Sequence, residues 1–132
     1  MGQLVSGKRH KSGYESHPAH LLRVLPAGRR VHVRCNGATL ADSSEALALF
    51  EGSYAPVFYL PRKDVKMALL KPTASRSWCP FKGEARYWAV AAGDRDIHDA
   101  VWSYEDPFTE VAGIKDHVAF YPDKVEIEAD PA

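Results

Sequence analysis

Trp78-Cys79-Pro80-Phe81-Lys82-Gly83-Glu84-Ala85-Arg86-Tyr87-Trp88 is the stretch whose reading decides the fold. Pro80 cannot donate to a ladder and Gly83 tolerates positive φ, so Cys79 to Gly83 is predicted to bend. From Glu84 to Val90 apolar and polar residues alternate, which predicts a half-buried strand. Polar groups therefore gather where a strand begins. Aromatic walls beside one cysteine and one lysine suit a small-molecule pocket, and equally the closed end of a small β-rich core.

Upstream, Val31, Val33 and Cys35 alternate with His32, Arg34 and Asn36, a period of two with one apolar face. Asn36-Gly37 is a hairpin turn signal, so Ala38 to Ala41 is expected to return as a partner strand with Cys35 pointing inward. Ala46–Phe50 is too short for periodicity to separate helix from strand. Val57-Phe58-Tyr59-Leu60, bounded by Pro56 and Pro61, reads as a strand covered on both faces. Asp64 is placed as the N-cap of a short helix with Val65, Ala68 and Leu69 on one face, Lys71 near its C-terminus and Pro72 stopping it. Downstream, Ala91 to Asp96 reads as a turn and Ala100 to Tyr104 as an aromatic strand. Asp106-Pro107 opens a loop or helical turn running through Ile114. Val118–Tyr121 and Val125–Glu128 are expected to form a second hairpin around Pro122-Asp123-Lys124, with Glu126 and Glu128 facing water or an exposed edge.

The expected fold is mainly β: a single domain over residues 21–132, a partly closed sheet or small barrel with one or two short helices. At 132 residues, with 45% hydrophobic and 26% charged residues, one core is the natural partition. Residues 1–20 are polar and basic and read as a flexible arm. Met1-Gly2-Gln3-Leu4-Val5-Ser6 has the form of a myristoylation site, and His17 and His20 flank a proline in a metal half-site pattern that a helix would not align. Seventeen basic and seventeen acidic residues balance, so no global field favours nucleic acid or an anionic membrane. Cys35 and Cys79 lack zinc spacing and are expected as free thiols in a reducing compartment. No apolar run nears the roughly 20 residues of a membrane span, and the expected location is cytoplasmic.

Tyr59-Leu60-Pro61-Arg62-Lys63-Asp64-Val65, Leu69-Leu70, Cys79 to Trp88 and Trp102-Ser103-Tyr104, in that order, resemble domain of unknown function 427, labelled nucleotidyltransferase-like in some collections. The likeness spans roughly residues 20 to 130 and implies a compact, mostly β domain without an established reaction. Phe81 stands where the family often has tyrosine, which removes a phenolic hydroxyl. The nucleotidyltransferase label asks for Gly-Ser followed by two spaced carboxylates that hold metal ions. Gly52-Ser53 and Asp64 resemble the first parts, but Lys66 occupies the second carboxylate's place. Asp94-Arg95-Asp96 has the spacing in an expected surface turn.

The candidate catalytic residues are Lys82, Asp64 and Cys79. Arg62, Glu51, Tyr59, Tyr87, Trp88, Trp102 and Tyr104 are candidate ligand contacts. Lysine at an aromatic-walled strand entrance can bind a carboxylate or phosphate or, if desolvation lowers its pKa, become nucleophilic, and Asp64 can act as an acid or base. Tyr87 and Trp88 are adjacent on one strand and must face opposite sides unless a bulge intervenes. The leading expectation is a domain that binds a small polar or anionic organic ligand without metal or cofactor, with acid/base chemistry open. A protein-interaction module and a metal-dependent nucleotidyltransferase are the alternatives; no oligomeric state follows.

Overall fold

The computed structural model describes residues 13, 14, 16, 17 and 19–131, so the Met1–Ser6 motif and the basic Lys8, Arg9 and Lys11 lie outside the described residues. Ten strands follow in order: β1 (Leu22–Pro26), β2 (Val31–Cys35), β3 (Ala38–Ser43), β4 (Leu47–Glu51), β5 (Val57–Pro61), β6 (Leu70–Cys79), β7 (Gly83–Ala92), β8 (Arg95–Tyr104), β9 (His117–Phe120) and β10 (Glu126–Ala129). Seven form one sheet in the order β1-β4-β5-β9-β8-β7-β6, and three form a second in the order β10-β2-β3. The fold is mainly β, as expected. The sheets do not close into a barrel.

Local chemistry explains most of the pairing. Asn36 and Gly37 take φ of 51° and 82°, the two positive values a tight two-residue hairpin needs to join β2 to β3. The period-two pattern of β2 buries Val31, Val33 and Cys35. Ala46–Phe50, left open between helix and strand, is largely β4, whose Leu47, Ala48 and Leu49 pair with Tyr59, Phe58 and Val57 of β5. The register of β7 on β8 shifts between Trp88 and Val90, and β8 accommodates the extra residues around Asp99, which has φ 50°. Ser75 and Thr73 hydroxyls donate to the Asp99 carboxylate at 2.5 and 2.6 Å, a local bond set that suits aspartate to positive φ.

The two faces of the long sheet carry separate cores. On one face Leu60, Trp88, Val90, Val101, Val118 and Phe120 pack with Val31, Val33, Cys35 and Leu40 of the small sheet. Leu49, Tyr59, Ala85, Tyr104 and Ala119 pack on the other, closed by Val111 and Ile114 of a short 3-10 segment, Thr109–Ile114. The alternation of each strand therefore supplies two chemistries, one per face.

Four expectations are corrected. The turn expected from Ala91 to Asp96 is confined to residues 93 and 94, because Ala91 and Ala92 belong to β7 and Arg95 and Asp96 to β8. The helix capped by Asp64 does not form: two single 3-10 turns, Arg62–Asp64 and Met67–Leu69, stand there instead. Val65 bridges to Ala41 and the Lys66 amide donates to the Leu40 carbonyl, so pairing with β3 takes backbone groups a helix would need. Asp64 caps nothing and accepts the Ser43 hydroxyl at 2.6 Å. Lys71 and Pro72, read as the end of that helix, lie in β6, an edge strand, where proline is tolerated. Cys79, assigned to the bend, is the last residue of β6, and only residues 80–82 turn. Finally, β9 and β10 are not a hairpin. The turn after Tyr121 forms, with the Lys124 amide on the Tyr121 carbonyl, but β9 already lies between β5 and β8, and β10 pairs with β2.

Candidate functional site

The turn between β6 and β7 carries Lys82 and is held from several sides. The Lys82 amide donates to the Cys79 carbonyl, and its carbonyl accepts from the Phe108 amide. Gly83 has φ 118°, and a Cβ there would lie 3.3 Å from the Asp106 carbonyl oxygen, so the turn and the 106–108 loop meet where only glycine fits. The Gly13 amide donates to the Pro80 carbonyl at 2.6 Å and the Tyr14 hydroxyl to the Phe81 carbonyl at 2.7 Å. The Phe81 ring packs edge-on to Tyr14 and His17 and lies with its centroid 4.0 Å from that of His20.

This scaffold aims Lys82 at the end of β4. Its Nζ donates to Glu51 Oε1 at 3.1 Å, with the two side chains only 14% and 23% exposed. The same Nζ is 3.5 Å from Cys79 Sγ. Glu51 Oε2 lies 2.9 Å from His20 Nε2. Burial raises the Glu51 pKa, but the His20 contact and the Lys82 ammonium outweigh it and hold the carboxyl below its ordinary value. His20, Glu51, Lys82 and Cys79 thus form a continuous polar chain.

Beside it opens a cavity of about 250 Å3, lined by Leu49, Glu51, Tyr54, Ala55, Val57, Tyr59, Lys82, Tyr87, Trp102, Tyr104 and Tyr121. Trp102 Nε1 donates to the Tyr59 hydroxyl at 3.2 Å, and the Tyr121 ring lies tilted against Trp102 with centroids 4.4 Å apart. Burial pushes the Tyr59 and Tyr104 phenols well above the ordinary tyrosine value, and Tyr121 to about 12, so they stay protonated donors.

Four candidates do not line this cavity; of these, Cys79 lies 3.5 Å from Lys82 Nζ, which does. Trp88 is in the opposite core, with the guanidinium carbons of Arg62 and Arg86 5.1 and 4.5 Å from its ring centroid. Arg62 donates to the Ser103 hydroxyl and to Glu105. Asp64 contacts Ser43 and, at 3.3 Å, Lys63 Nζ. Both therefore belong to the Trp88 side of the sheet, away from Lys82. Conversely, Tyr54, Tyr121 and His20 were missed. Tyr121 follows from its place one residue past Phe120, on the face of Ala119, whereas the sequence pattern pairs His20 with His17 as a metal half-site, and nothing in its segment points to Glu51. Among the described residues no three His, Cys, Asp or Glu side chains gather as a metal site, and no helix is long and apolar enough to cross a membrane.

Fold and cavity define a small antiparallel β domain with a lysine-bearing aromatic pocket. The sequence matches the family described as domain of unknown function (DUF427) over residues 23–131, and the chain belongs to that family. No curated protein matches it.

Proposed function

We propose that the domain binds a small polar or anionic organic molecule in the Lys82 cavity, with Lys82 the group that binds its charge or exchanges a proton with it. One observation carries the reading: residues from β4, β5, the β6–β7 turn, β7 and β8 converge on one concavity although the chain separates them widely. Glu51 orients the lysine, and the apolar lining limits competition from water. Cys79, against Lys82 Nζ, adjoins this group as a candidate nucleophile. Asp64, whose partners are Ser43 and Lys63, is left out of this reading because it does not line the cavity.

The test is a thermal-shift screen of wild type and Lys82→Ala against pools of small organic acids and polar metabolites, and against nucleotides with and without magnesium. A ligand that binds only the folded state raises its melting temperature. The expected result is a wild-type shift from an acid pool that disappears in Lys82→Ala. No shift from any pool would overturn the reading, and a magnesium-dependent nucleotide shift would replace it with the nucleotidyltransferase one.

A further inference from the structure

The lining of the cavity restricts its ligand beyond size and polarity. Among the described residues Lys82 and Glu51 are the charged ones lining it; they meet at 3.1 Å, but Glu51 also meets His20 at 2.9 Å, so it offsets the Lys82 charge only in part. An ammonium has three donors. One serves Glu51 and a second points to Cys79 Sγ, which leaves one for a ligand. Among the described residues no arginine lines the cavity; tyrosine hydroxyls can donate to further oxygens of a ligand, but no second cation meets the second charge of a phosphate. The electrostatics fit one negative charge on one group.

The walls set the rest. Trp102 has a single N–H, and Tyr59 takes it. The Tyr87 hydroxyl pairs with Ser77 Oγ at 2.7 Å. What these two residues offer the cavity is ring surface. Tyr59 meets Trp102 edge-on and Tyr121 lies tilted against it, so the indole plane is fixed before any ligand arrives. The volume of about 250 Å3 falls under the roughly 300–1,000 Å3 of pockets for drug-sized ligands, which is room for one ring system.

We infer that the ligand is an aromatic monocarboxylate, its ring stacked among Trp102, Tyr87 and Tyr121 and its carboxylate on Lys82 Nζ. This deepens the preceding proposal and rests on it. Titration calorimetry on the full chain with four probes, benzoate, cyclohexanecarboxylate, benzamide and phenyl phosphate, tests it. Benzoate is expected to bind about two- to tenfold more tightly than cyclohexanecarboxylate, the margin a ring–ring contact supplies, and more tightly than benzamide, which lacks the charge, or phenyl phosphate. Trp102→Phe should weaken benzoate and leave cyclohexanecarboxylate nearly unchanged, and Lys82→Met should abolish the preference for benzoate over benzamide. Equal binding of the two carboxylates, or tighter binding of phenyl phosphate, overturns the inference. So does failure of benzoate to bind. If benzoate fails while a non-aromatic acid still gives a Lys82-dependent thermal shift, the small-molecule reading stands and only the aromatic class falls.

Discussion

Tyr87 and Trp88 are consecutive residues of β7 that serve opposite faces of one sheet: Tyr87 lines the Lys82 cavity, and Trp88, 4% exposed, is packed in the other core beneath two guanidiniums. Their substitutions should separate stability from binding. Trp88→Ala is expected to cost about 3–5 kcal/mol, read by urea denaturation. Tyr87→Phe removes a hydroxyl that meets Ser77 and Tyr121 and should cost about 1 kcal/mol.

Gly83 and Gly93 both have positive φ, but for Gly93 no atom lies within 4 Å of an added Cβ, whereas at Gly83 the Asp106 carbonyl is 3.3 Å away. Gly93→Ala should destabilise by about 1 kcal/mol, and Gly83→Ala by roughly 3 kcal/mol, strain and close contact acting together. Because Gly83 follows Lys82, the second variant should also lose ligand-induced thermal shifts at temperatures where it remains folded.

Glu51 makes stability depend on acid. Its pKa in the folded protein lies below its ordinary value, through His20 and Lys82 against the opposing effect of burial. Its contribution is therefore fully present above the unfolded value of about 4.3 and is lost as pH falls through the lower folded value. Between about pH 6 and about pH 3, wild type should lose more stability than Glu51→Gln, and the gap between the two denaturation midpoints should narrow.

The two thiols differ in access. Cys35 is 6% exposed inside the core between the sheets, and Cys79 is half-buried beside Lys82. An aromatic disulfide reagent should titrate Cys79 in the native protein and reach Cys35 only after unfolding, and an aromatic carboxylate in the cavity should slow the first reaction.

Strands announced by alternation or by a turn dipeptide were legible in the sequence. Val31–Cys35 with Asn36-Gly37, and the half-buried run from Glu84, carry their face and register in local pattern. The segment from Asp64 to Pro72 carries helix signals as well, yet hydrogen bonds to β3 override them. Partner choice was not legible: nothing local in Val125–Glu128 says that it joins β2 instead of β9. The site divided along the same line. Aromatic alternation on β7 and β8 put Tyr87, Trp102 and Tyr104 on one wall, whereas the proximity of Arg62 and Asp64 to Tyr59 along the chain did not bring them to Lys82, because the chain turns after Pro61.

Residues 32–34 of β2 find their β10 partners at 126–128, across nearly the whole intervening chain. Closing so long a loop is entropically slow, whereas β6, β7 and β8 join through short turns and can form early. The meander can thus build one wall of the cavity while the small sheet is still incomplete, and the core around Cys35 is sealed last. During refolding, protection of the Cys35 thiol should trail protection of the β7 and β8 amides, which makes that thiol an internal clock for the final step of assembly.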